Sequence, residues 1–342
     1  QALPAGLTVA VPGDGTGDIE ETLRNITSSQ LSAKYTVTPR SAAGCNGVTY
    51  VITVPVNPEP VGANITRTAQ CSGQAFSVSA DNITNGLGAT STFTWVRNPL
   101  SAGLTELVAG TGSGAIAETL QNLTAGQLSA GYTVTAHSAA GCASSTYVIT
   151  VPVNPEPVGA DITRAVQCSN VAFSVSADNI TNGLGATSTS TWVRDPLPAG
   201  LTQVVAGSGS GAVAETLRNL TSGSLRAVYV VTPKSGANCS GATYTITVPI
   251  NPEPVGASIT RAQQCSSVPF SVSADNITNG VVGTTFTWAR QTLPVGLTVI
   301  SGGTGSGSID ETLRNITGAQ LSAVYRVTPS VGGCTGATYD IT

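Results

Sequence analysis

A fifteen-residue segment that recurs along the chain constrains the fold most strongly. Thr49–Ala63 returns letter for letter at Thr146–Ala160, with small changes at Thr243–Ala257, and its opening returns at Thr338–Thr342. Its first half alternates apolar positions with other residues, which is the period of a β-strand with one buried face. Asn57-Pro-Glu-Pro60 cannot continue a sheet, because prolines lack the donor and hold the backbone extended. The segment predicts a last strand, a stiff hinge and the start of the next domain.

The spacing of single residues gives the length of the repeat. Cys71, Cys168 and Cys265 follow one another at intervals of 97 residues. A unit of this length can bury its own core, and it is too long for a solenoid repeat that needs its neighbours to fold. We therefore expect domains arranged as beads on a string: half a sandwich at residues 1–56, complete repeats at 57–153 and 154–250, and a near-complete repeat at 251–342.

The second repeat predicts seven short strands separated by Gly, Asn and Pro. Such a pattern is typical of an all-β sandwich of immunoglobulin-like type. Trp95 lies on the third strand and Tyr132 near the start of the sixth. This placement resembles the tryptophan and the tyrosine corner of immunoglobulin-like sandwiches, and it is equally explained by the need of any sandwich for an aromatic residue in each sheet. Gly110–Gly114 is interpreted as a flexible hairpin loop. The predicted strands cover residues 63–67, 75–80, 92–97, 104–108, 116–123, 128–135 and 147–153.

Composition excludes several classes of function. Charged residues make up 9% of the chain, the formal net charge is −4, and the only lysines are Lys34 and Lys234. No basic patch exists to hold a phosphate backbone, so we expect no nucleic-acid partner. The longest apolar runs have the length of strands, so we expect no membrane span. The chain begins at Gln1 without a signal peptide, and we expect it to be processed or part of something longer.

Seven cysteines occupy two phases of the repeat. The simplest pairing lies within repeats, as Cys71–Cys142, Cys168–Cys239 and Cys265–Cys334, and it implies an oxidising compartment. A competing scheme pairs across the hinge, as Cys45–Cys71 and Cys142–Cys168, and leaves Cys334 single. Under the first scheme, Cys45 needs a partner outside this chain. Residues 1–56 lack the first three strands of a repeat, so either the protein continues upstream or a neighbouring chain supplies strands.

No residue pattern predicts catalysis, a metal or a cofactor. His137 is the single histidine and is expected to be a solvated loop residue, so a repeated histidine-dependent site is excluded. A glutamate recurs before Thr-Leu without a second carboxylate in every repeat, whereas glycosidase chemistry needs two. Aspartates recur before Asn-Ile-Thr-Asn-Gly, where an Asx turn is favoured over calcium. These glutamates are Glu21, Glu118, Glu215 and Glu311, and the aspartates are Asp81, Asp178 and Asp275.

Nine Asn-x-Ser/Thr triplets occur, and seven of them recur at fixed phases of the repeat. Triplets of this length arise easily in chains rich in Asn and Thr, so each asparagine is either a glycosylation acceptor or a turn residue. The remaining two, Asn64 and Asn238, stand outside these phases. The seven candidate acceptors are Asn25, Asn82, Asn122, Asn179, Asn219, Asn276 and Asn315.

Several short motifs together resemble one known family. They are Cys-Ser-Gly or Cys-Ser-Ser before a strand, Phe-Thr-Trp-x-Arg, Ser-Ile-x-Glu-Thr-Leu-x-Asn-Ile-Thr, Tyr-x-Val-Thr-Pro, Gly-Cys-Thr-Gly and Ile-Thr-Val-Pro-Val-Asn-Pro-Glu-Pro. They stand at Cys71 and Cys265, Phe286–Arg290, Ser308–Thr317, Tyr325–Pro329, Gly333–Gly336 and Ile52–Pro60. This set is similar to the PKD-like repeats of large secreted proteins of Bacteroidota. The resemblance implies an immunoglobulin-like sandwich, export to the cell surface, and use as an adhesin, stalk or filament, without catalytic residues.

Three functions are compatible with the sequence. The leading hypothesis is a structural extracellular protein, whose tandem sandwiches form a surface fibre or adhesin shaft and self-associate with further copies or repeats. The second is an adhesin module whose loops bind a glycan or host surface, although sparse aromatic residues argue against carbohydrate stacking. The third is a spacer in a larger surface enzyme. We expect the chain itself not to be an enzyme.

Overall fold

The computed structural model describes every residue except Asp14, Thr16, Ala109 and Ala206, and it describes the backbone but not the side chain of Val205. The chain divides into two compact units, Gln1–Glu156 and Pro157–Thr342. In both units the described residues form β-strands with two short 3₁₀ turns, Gly88–Thr90 and Gly185–Thr187. The predicted all-β class with tandem immunoglobulin-like sandwiches is confirmed. No helix among the described residues is long and apolar enough to cross a membrane.

The first unit begins with two strand pairs and continues into a sandwich. β1 pairs with β2 and β3 with β4. In the sandwich, one sheet has the order β10-β8-β12-β13-β5, with β6 also on β13, and the facing sheet has the order β7-β11-β9. The strands are β1 (Leu7–Val11), β2 (Thr22–Asn25), β3 (Leu31–Val37), β4 (Tyr50–Val56), β5 (Ile65–Thr66), β6 (Gln70–Cys71), β7 (Ala75–Val78), β8 (Thr92–Arg97), β9 (Leu104–Glu106), β10 (Thr111–Ser113), β11 (Ile116–Asn122), β12 (Leu128–His137) and β13 (Tyr147–Asn154).

The second unit contains two sandwiches with closely similar strand orders. In the third repeat, one sheet has the order β14-β22-β21-β17-β19, with β15 also paired with β22, and the other sheet has the order β16-β20-β18. Its strands are β14 (Ile162–Thr163), β15 (Gln167–Cys168), β16 (Ala172–Val175), β17 (Thr189–Arg194), β18 (Leu201–Val205), β19 (Ser208–Ser210), β20 (Val213–Asn219), β21 (Leu225–Lys234) and β22 (Tyr244–Asn251).

The fourth repeat has the sheets β26-β24-β28-β29, with β30 also on β28, and β23-β27-β25. Its strands are β23 (Phe270–Val272), β24 (Thr285–Arg290), β25 (Leu297–Ser301), β26 (Thr304–Ser306), β27 (Ile309–Asn315), β28 (Tyr325–Val331), β29 (Cys334–Thr335) and β30 (Tyr339–Ile341). The proposed boundaries at residues 56, 153 and 250 stay predictions.

Each sandwich has its own hydrophobic core. In the second repeat, Trp95 on β8 meets Tyr132 on β12 edge to face, with ring centroids 5.6 Å apart, and the same pair recurs in the third and fourth repeats. Alternate residues of the last strand β13 are fully buried, from Ile149 to Val153. The period-two pattern of the recurring segment therefore marks a strand with one buried face in the second and third repeats, whereas in β4 the same pattern falls on residues that are mostly exposed.

The glycine-rich segment predicted as a flexible loop is partly a strand. Thr111–Ser113 pairs with β8, and Gly112 lies opposite Trp95. A Cβ at Gly112 would stand 2.6 Å from the indole ring, so only glycine lets the backbone lie flat on the tryptophan. The prediction of a loop over the whole of Gly110–Gly114 is wrong, because a residue without a side chain is required by packing here rather than by a turn. His137 is also not in a loop, since it is the half-buried last residue of β12.

The disulfide pairing predicted within repeats is wrong. Cys168 of the third repeat is bonded to Cys334 of the fourth, with Cα atoms 5.3 Å apart, which excludes Cys168–Cys239 and Cys265–Cys334. Cys142 is a free thiol, which excludes Cys71–Cys142 and the alternative Cys142–Cys168. Cys71 and Cys239 are each disulfide-bonded, whereas Cys45 and Cys265 are free and exposed.

The reason is that the two cysteine phases lie at opposite ends of one sandwich. Cys168 pairs with Asn251 at the end of β22, whereas Cys239 precedes the start of the same strand. Eight residues of strand separate these ends by roughly 25 Å. A disulfide requires Cα atoms within about 7 Å, so a bond inside one sandwich is geometrically impossible and the following sandwich must supply the partner.

Candidate functional site at the junction between sandwiches

The proline hinge between the third and fourth repeats is packed against the third sandwich. Pro252, Glu253 and Pro254 are all buried. The backbone N–H of Glu253 donates to the carbonyl of Asn219 at 3.2 Å, and Arg218 Nε donates to Glu253 Oε1 at 2.7 Å. The segment predicted as a stiff hinge is therefore fixed by contacts as well as by its two prolines.

Asn279 ties the fourth sandwich to this hinge. Its Nδ2 donates to three carbonyl oxygens, those of Leu220 at 3.2 Å, Thr221 at 3.4 Å and Glu253 at 2.9 Å. Its Oδ1 accepts from the N–H of Val255 at 3.1 Å. One side chain thus bridges the third sandwich, the hinge and the first residues of the fourth repeat. Because asparagine carries both donors and acceptors, a residue of the same shape with only donors or only acceptors cannot replace it.

Two further contacts close the same junction. A Cβ on Gly336 would stand 1.9 Å from the carbonyl oxygen of Pro254, so the loop after β29 lies directly on the hinge. The Cys168–Cys334 disulfide adds a covalent bond between the two sandwiches. The junction therefore combines backbone contact, hydrogen bonds and a covalent link.

The first unit repeats this hydrogen-bonding arrangement. Asn85 Nδ2 donates to the carbonyls of Ile26, Thr27 and Glu59, at 3.1, 3.1 and 2.9 Å. The Oδ1 of Asn85 accepts from Val61 N–H at 3.1 Å. The hydrogen bonds between this asparagine, the hinge and the preceding repeat therefore recur in both units. Sequence reasoning identified Asn-Gly only as a turn, although its fixed phase relative to the hinge was a visible signal of a second role.

The recurring glutamate is the centre of a buried polar network. In the third repeat, Arg194 Nη1 donates to Glu215 Oε1 at 2.6 Å, and Tyr229 Oη donates to Glu215 Oε2 at 2.6 Å. The Glu215 side chain is fully buried. The same triad is formed by Arg97, Glu118 and Tyr132 and by Arg290, Glu311 and Tyr325, and Tyr35 donates to Glu21.

This network corrects the prediction of a tyrosine corner. In that motif, the tyrosine hydroxyl bonds to backbone a few residues upstream. Here Tyr132 Oη instead donates, at 2.6 Å, to the carboxylate of Glu118, which lies on β11 of the facing sheet. The glutamate is thus fully used in the core, where both carboxylate oxygens have partners and no substrate can reach it. Its role is structural, because a buried charge is tolerated only when paired and hydrogen-bonded.

Buried tyrosines make stability depend on alkaline pH. Burial raises the pKa of the Tyr147 hydroxyl to about 12, and burial together with the hydrogen bond to its glutamate raises the pKa of Tyr132 and of Tyr229. An unfolded tyrosine titrates near 10, so the unfolded chain loses these protons first. The stabilisation is complete below pH 10 and is lost as pH rises further.

We therefore expect the melting temperature to stay level from pH 8 to about 9.5 and to fall steadily between about pH 10 and 12. Circular dichroism melts at half-unit pH steps measure this. The free thiols Cys45, Cys142 and Cys265 should be alkylated beforehand, so that disulfide exchange does not contribute. A melting temperature unchanged at pH 12 would show that these hydroxyls are not buried.

The predicted Asx turn is confirmed, and no metal site is formed by the described residues. Asp81 Oδ1 accepts from the N–H of Ile83 at 3.0 Å, and Asp178 and Asp275 make the same bond. Within the described ranges, no group of three or more His, Cys, Asp or Glu side chains could hold a metal ion. The aspartates therefore serve the turn that presents the junction asparagine.

Three of the candidate glycosylation sites are buried structural residues. Asn122 is fully buried, its Nδ2 donates to Gly126 and Val153 carbonyls, both at 2.9 Å, and its Oδ1 accepts from Thr124 Oγ1 at 2.7 Å. Asn219 and Asn25 are bonded in the same way. Both Nδ2 hydrogens are used, so a glycan has neither a free N–H nor space. Burial and these bonds favour the turn-residue alternative for Asn25, Asn122 and Asn219 in the folded protein.

In the other group of triplets, each asparagine Nδ2 makes one hydrogen bond among the described residues instead of two. Asn82, Asn179 and Asn276 are half-buried, and each Nδ2 donates to an alanine carbonyl at 2.6 Å. If the protein is made in a host that glycosylates such triplets, we expect glycans at these three and none at Asn122 or Asn219. Glycopeptide mass spectrometry distinguishes the two families. A glycan on Asn122 in folded, protease-resistant material would contradict its burial.

Comparison with known proteins identifies the repeat. A family model described as a PKD-like domain matches four consecutive segments, residues 6–60, 68–157, 161–254 and 262–342. No curated protein sequence matches the chain at a significant level.

Solved structures with similarity to the chain include several tandem β-domain proteins. The I-band fragment I67–I69 from titin is 13% identical, with 83% of this chain and 96% of that chain covered and a TM-score of 0.28. BT4661, a SusE-like surface-located polysaccharide-binding protein from the Bacteroides thetaiotaomicron heparin utilisation locus, is 9% identical, with 99% and 82% covered and a TM-score of 0.26.

An endo-fucoidan hydrolase of glycoside hydrolase family 107 is 13% identical with a TM-score of 0.23. The match covers 80% of this chain, but this chain spans only 42% of the hydrolase. All three TM-scores are low, so none of these similarities carries an argument about function.

Proposed function

Because the chain belongs to the PKD-like domain family over nearly its whole length, we propose that it is the shaft of an extracellular fibre or adhesin. The observation that carries this proposal is the Cys168–Cys334 bond between successive sandwiches. A linker that only tethers two domains needs no covalent bridge beside it. A shaft needs such a bridge, because it must keep a constant geometry between repeats.

The hydrogen bonds of the junction support the same function. Asn279 and Asn85 each hold a hinge by three donated bonds to carbonyls on the preceding repeat and the hinge. The two asparagines lie in identical segments, since Phe76–Gly86 and Phe270–Gly280 match at all 11 positions. Uniform junctions suit a protein whose role is to extend at a fixed angle and pitch, without a repeat specialised for chemistry.

The location and partners follow from this role. Disulfide bonds and PKD-like domains indicate a compartment outside the cytoplasm. Attachment to a cell surface, self-association with further copies or repeats, and a Bacteroidota source are parts of the proposal. In this view the chain is not an enzyme, and a glycan or host ligand would bind elsewhere on the assembly.

The proposal is tested by electron microscopy of the native protein released from its source, together with a glycan array on the same preparation. We expect unbranched filaments of constant width with an axial repeat, and no reproducible glycan binding. Isolated particles that bind one glycan class would overturn the shaft and support a ligand-binding adhesin module. A catalytic domain in the intact native mass would support a spacer in a surface enzyme instead.

A further inference from the structure

Each of the two junction asparagines described above is followed by a glycine, and this dipeptide is chemically reactive. Asn85 precedes Gly86, and Asn279 precedes Gly280. In such a dipeptide the backbone nitrogen of the glycine attacks the side-chain carbonyl carbon of the asparagine, because a residue without a Cβ hinders the approach least. The junction therefore depends on a side chain that its own neighbour in the chain is able to destroy.

The attacking group is accessible in the folded protein. The backbone N–H of Gly86 and that of Gly280 have no acceptor among the described residues. Both glycines have a left-handed backbone, with φ of 82° and 69°. A Cβ built on either glycine would meet only one serine Cβ within 4 Å, at 3.8 Å and 3.9 Å. Neither a main-chain hydrogen bond nor close packing therefore protects these two nitrogens.

The asparagine side chain, in contrast, is fixed by hydrogen bonds at both ends of its carboxamide. Asn279 Nδ2 donates to three carbonyl oxygens, and its Oδ1 accepts from Val255 N–H. Asn85 makes the corresponding bonds in the first unit. Attack by the glycine closes a five-membered ring that moves Cγ and expels Nδ2, so the reaction must break these bonds. We call the junction closed when the bonds are formed and open when they are broken.

The reaction needs only water as a co-reactant. The nitrogen of Gly280 bonds to Cγ of Asn279, the Cγ–Nδ2 bond breaks, and the hydrogen of the glycine N–H leaves with Nδ2 as ammonia. Water then adds to one of the two carbonyl carbons of the ring and opens it. The product is aspartate or isoaspartate, depending on which carbon is attacked, and both carry a carboxyl group in place of the carboxamide.

The product cannot close the junction again. An ionised carboxylate only accepts hydrogen bonds, whereas the carbonyl oxygens of Leu220, Thr221 and Glu253 each accept from Nδ2 of Asn279. An oxygen in place of Nδ2 would leave three carbonyls facing a negative charge without a donor, which destabilises the contact. Deamidation would therefore keep the junction in its open state.

We propose that Asn85 and Asn279 are sites of spontaneous deamidation that the closed junction protects, so that the reaction converts a transient opening between two repeats into a permanent release. The combination of an accessible glycine nitrogen with a carboxamide fixed by hydrogen bonds carries this inference. It does not depend on the proposed shaft, because it concerns a single junction within one chain.

The test is peptide mass spectrometry of the 342-residue protein, which follows deamidation at each asparagine at mildly alkaline pH, in buffer and in concentrated urea. Asn85 and Asn279 lie in identical segments and should react equally fast in urea. In buffer both should react at least about tenfold more slowly, because only the open fraction reacts. Asn276 precedes the β-branched Ile277 and should react slowly in both solutions. Equal rates for Asn279 in buffer and in urea would overturn the proposal.

A variant without the disulfide tests whether opening of the junction controls the reaction. The double change Cys168→Ser and Cys334→Ser removes the covalent link beside Asn279 and should raise its rate in buffer at least about fivefold. Asn85 lies in the other unit and is the internal control, whose rate should not change. An equal rise at Asn85 would place the cause outside this junction and count against the proposal.

A milder variant keeps the test independent of a protein that has lost its fold. Arg218→Gln replaces the ion pair with Glu253 by the glutamine–glutamate hydrogen bond that Gln121 and Glu156 form in the second repeat, so the fold accepts it. The weaker hinge contact should raise the rate at Asn279 about two- to fivefold. If Asn279 reacted no faster in either variant than in the parent protein, opening of the junction would not control the reaction.

Asn279→Asp reproduces one product and tests whether the release is permanent. Hydrogen exchange at the amide of Val255, which donates to Asn279 Oδ1, should become at least about tenfold faster, because the open junction does not close again. Asn46→Asp adds the same charge at an exposed asparagine and should leave this exchange unchanged. If Asn279→Asp exchanged like the parent protein, the junction would accommodate a carboxylate and the proposed release would be refuted.

Discussion

Replacement of Glu215 by alanine is expected to destabilise the third sandwich by about 3–5 kcal/mol, because it leaves the Arg194 guanidinium largely buried without its carboxylate. The Tyr229 hydroxyl loses its acceptor in the same variant. Tyr229→Phe, which removes only the hydroxyl, should cost less, about 1.5–3 kcal/mol for a hydrogen bond to a charged group. The measurement is hydrogen exchange by mass spectrometry on peptides from β20 and β21, which reports the third sandwich separately from the others.

Asp195→Ala is the matched control. Asp195 is an exposed carboxylate in the same repeat, next to Arg194 in sequence, and its replacement should change exchange rates little. If Glu215→Ala were no more destabilising than Asp195→Ala, the carboxylate would not be the centre of the core network. Equal effects of Tyr229→Phe and Glu215→Ala would instead show that the hydroxyl and not the ion pair dominates.

Removal of the Cys168–Cys334 bond by the double change to serine is expected to cost up to about 5 kcal/mol, since a bond closing a loop of 166 residues restricts the unfolded chain strongly. The third and fourth sandwiches should then unfold in separate steps instead of one. Calorimetry of the oxidised protein and of the double variant measures both effects. A non-reducing peptide map of the starting material should show the Cys168 peptide linked to that of Cys334.

Cys265→Ser is the control for this prediction. Cys265 occupies the same phase of the repeat as Cys168 but is a free, exposed thiol, so its replacement should leave the melting profile unchanged. A map linking Cys168 to Cys239 would contradict the structure and restore pairing within repeats. A double variant that melts like the parent protein would show that hydrogen bonds alone hold the junction.

Most of the strand pattern could be predicted from sequence, because burial on one face of a strand leaves a direct record in alternating residues. The strands at Thr92–Arg97, Leu128–His137 and Tyr147–Asn154 all carry that record. The two-residue strands Ile65–Thr66 and Gln70–Cys71 are too short to show a period, and only the first was expected. The strand Thr111–Ser113 was not predicted, because glycine and serine are residues typical of a loop.

The disulfide could not be deduced, because a strict repeat makes pairings within and between units equally regular in spacing. The pairing is determined by the position of Cys168 and Cys239 at opposite ends of β22, and only the folded structure shows that position. The glutamate triads were missed for a related reason. Arg194 and Tyr229 are 21 and 14 residues from Glu215 in sequence, so the carboxylate looks unpaired until the sheets face each other.

The parallel pairing of the first and last strands of each complete sandwich has a mechanical consequence. Ile65 and Thr66 lie beside Ile149 and Thr150 and run in the same direction, and Ile162 and Ile246 repeat this. When the two ends of such a sandwich are pulled apart, the first strand is drawn backward along the last. The hydrogen bonds between them are then loaded together in shear and must break at once, whereas an antiparallel pair of terminal strands would unzip bond by bond. Tension on such a sandwich is therefore resisted at a first strand of only two residues, β5 or β14.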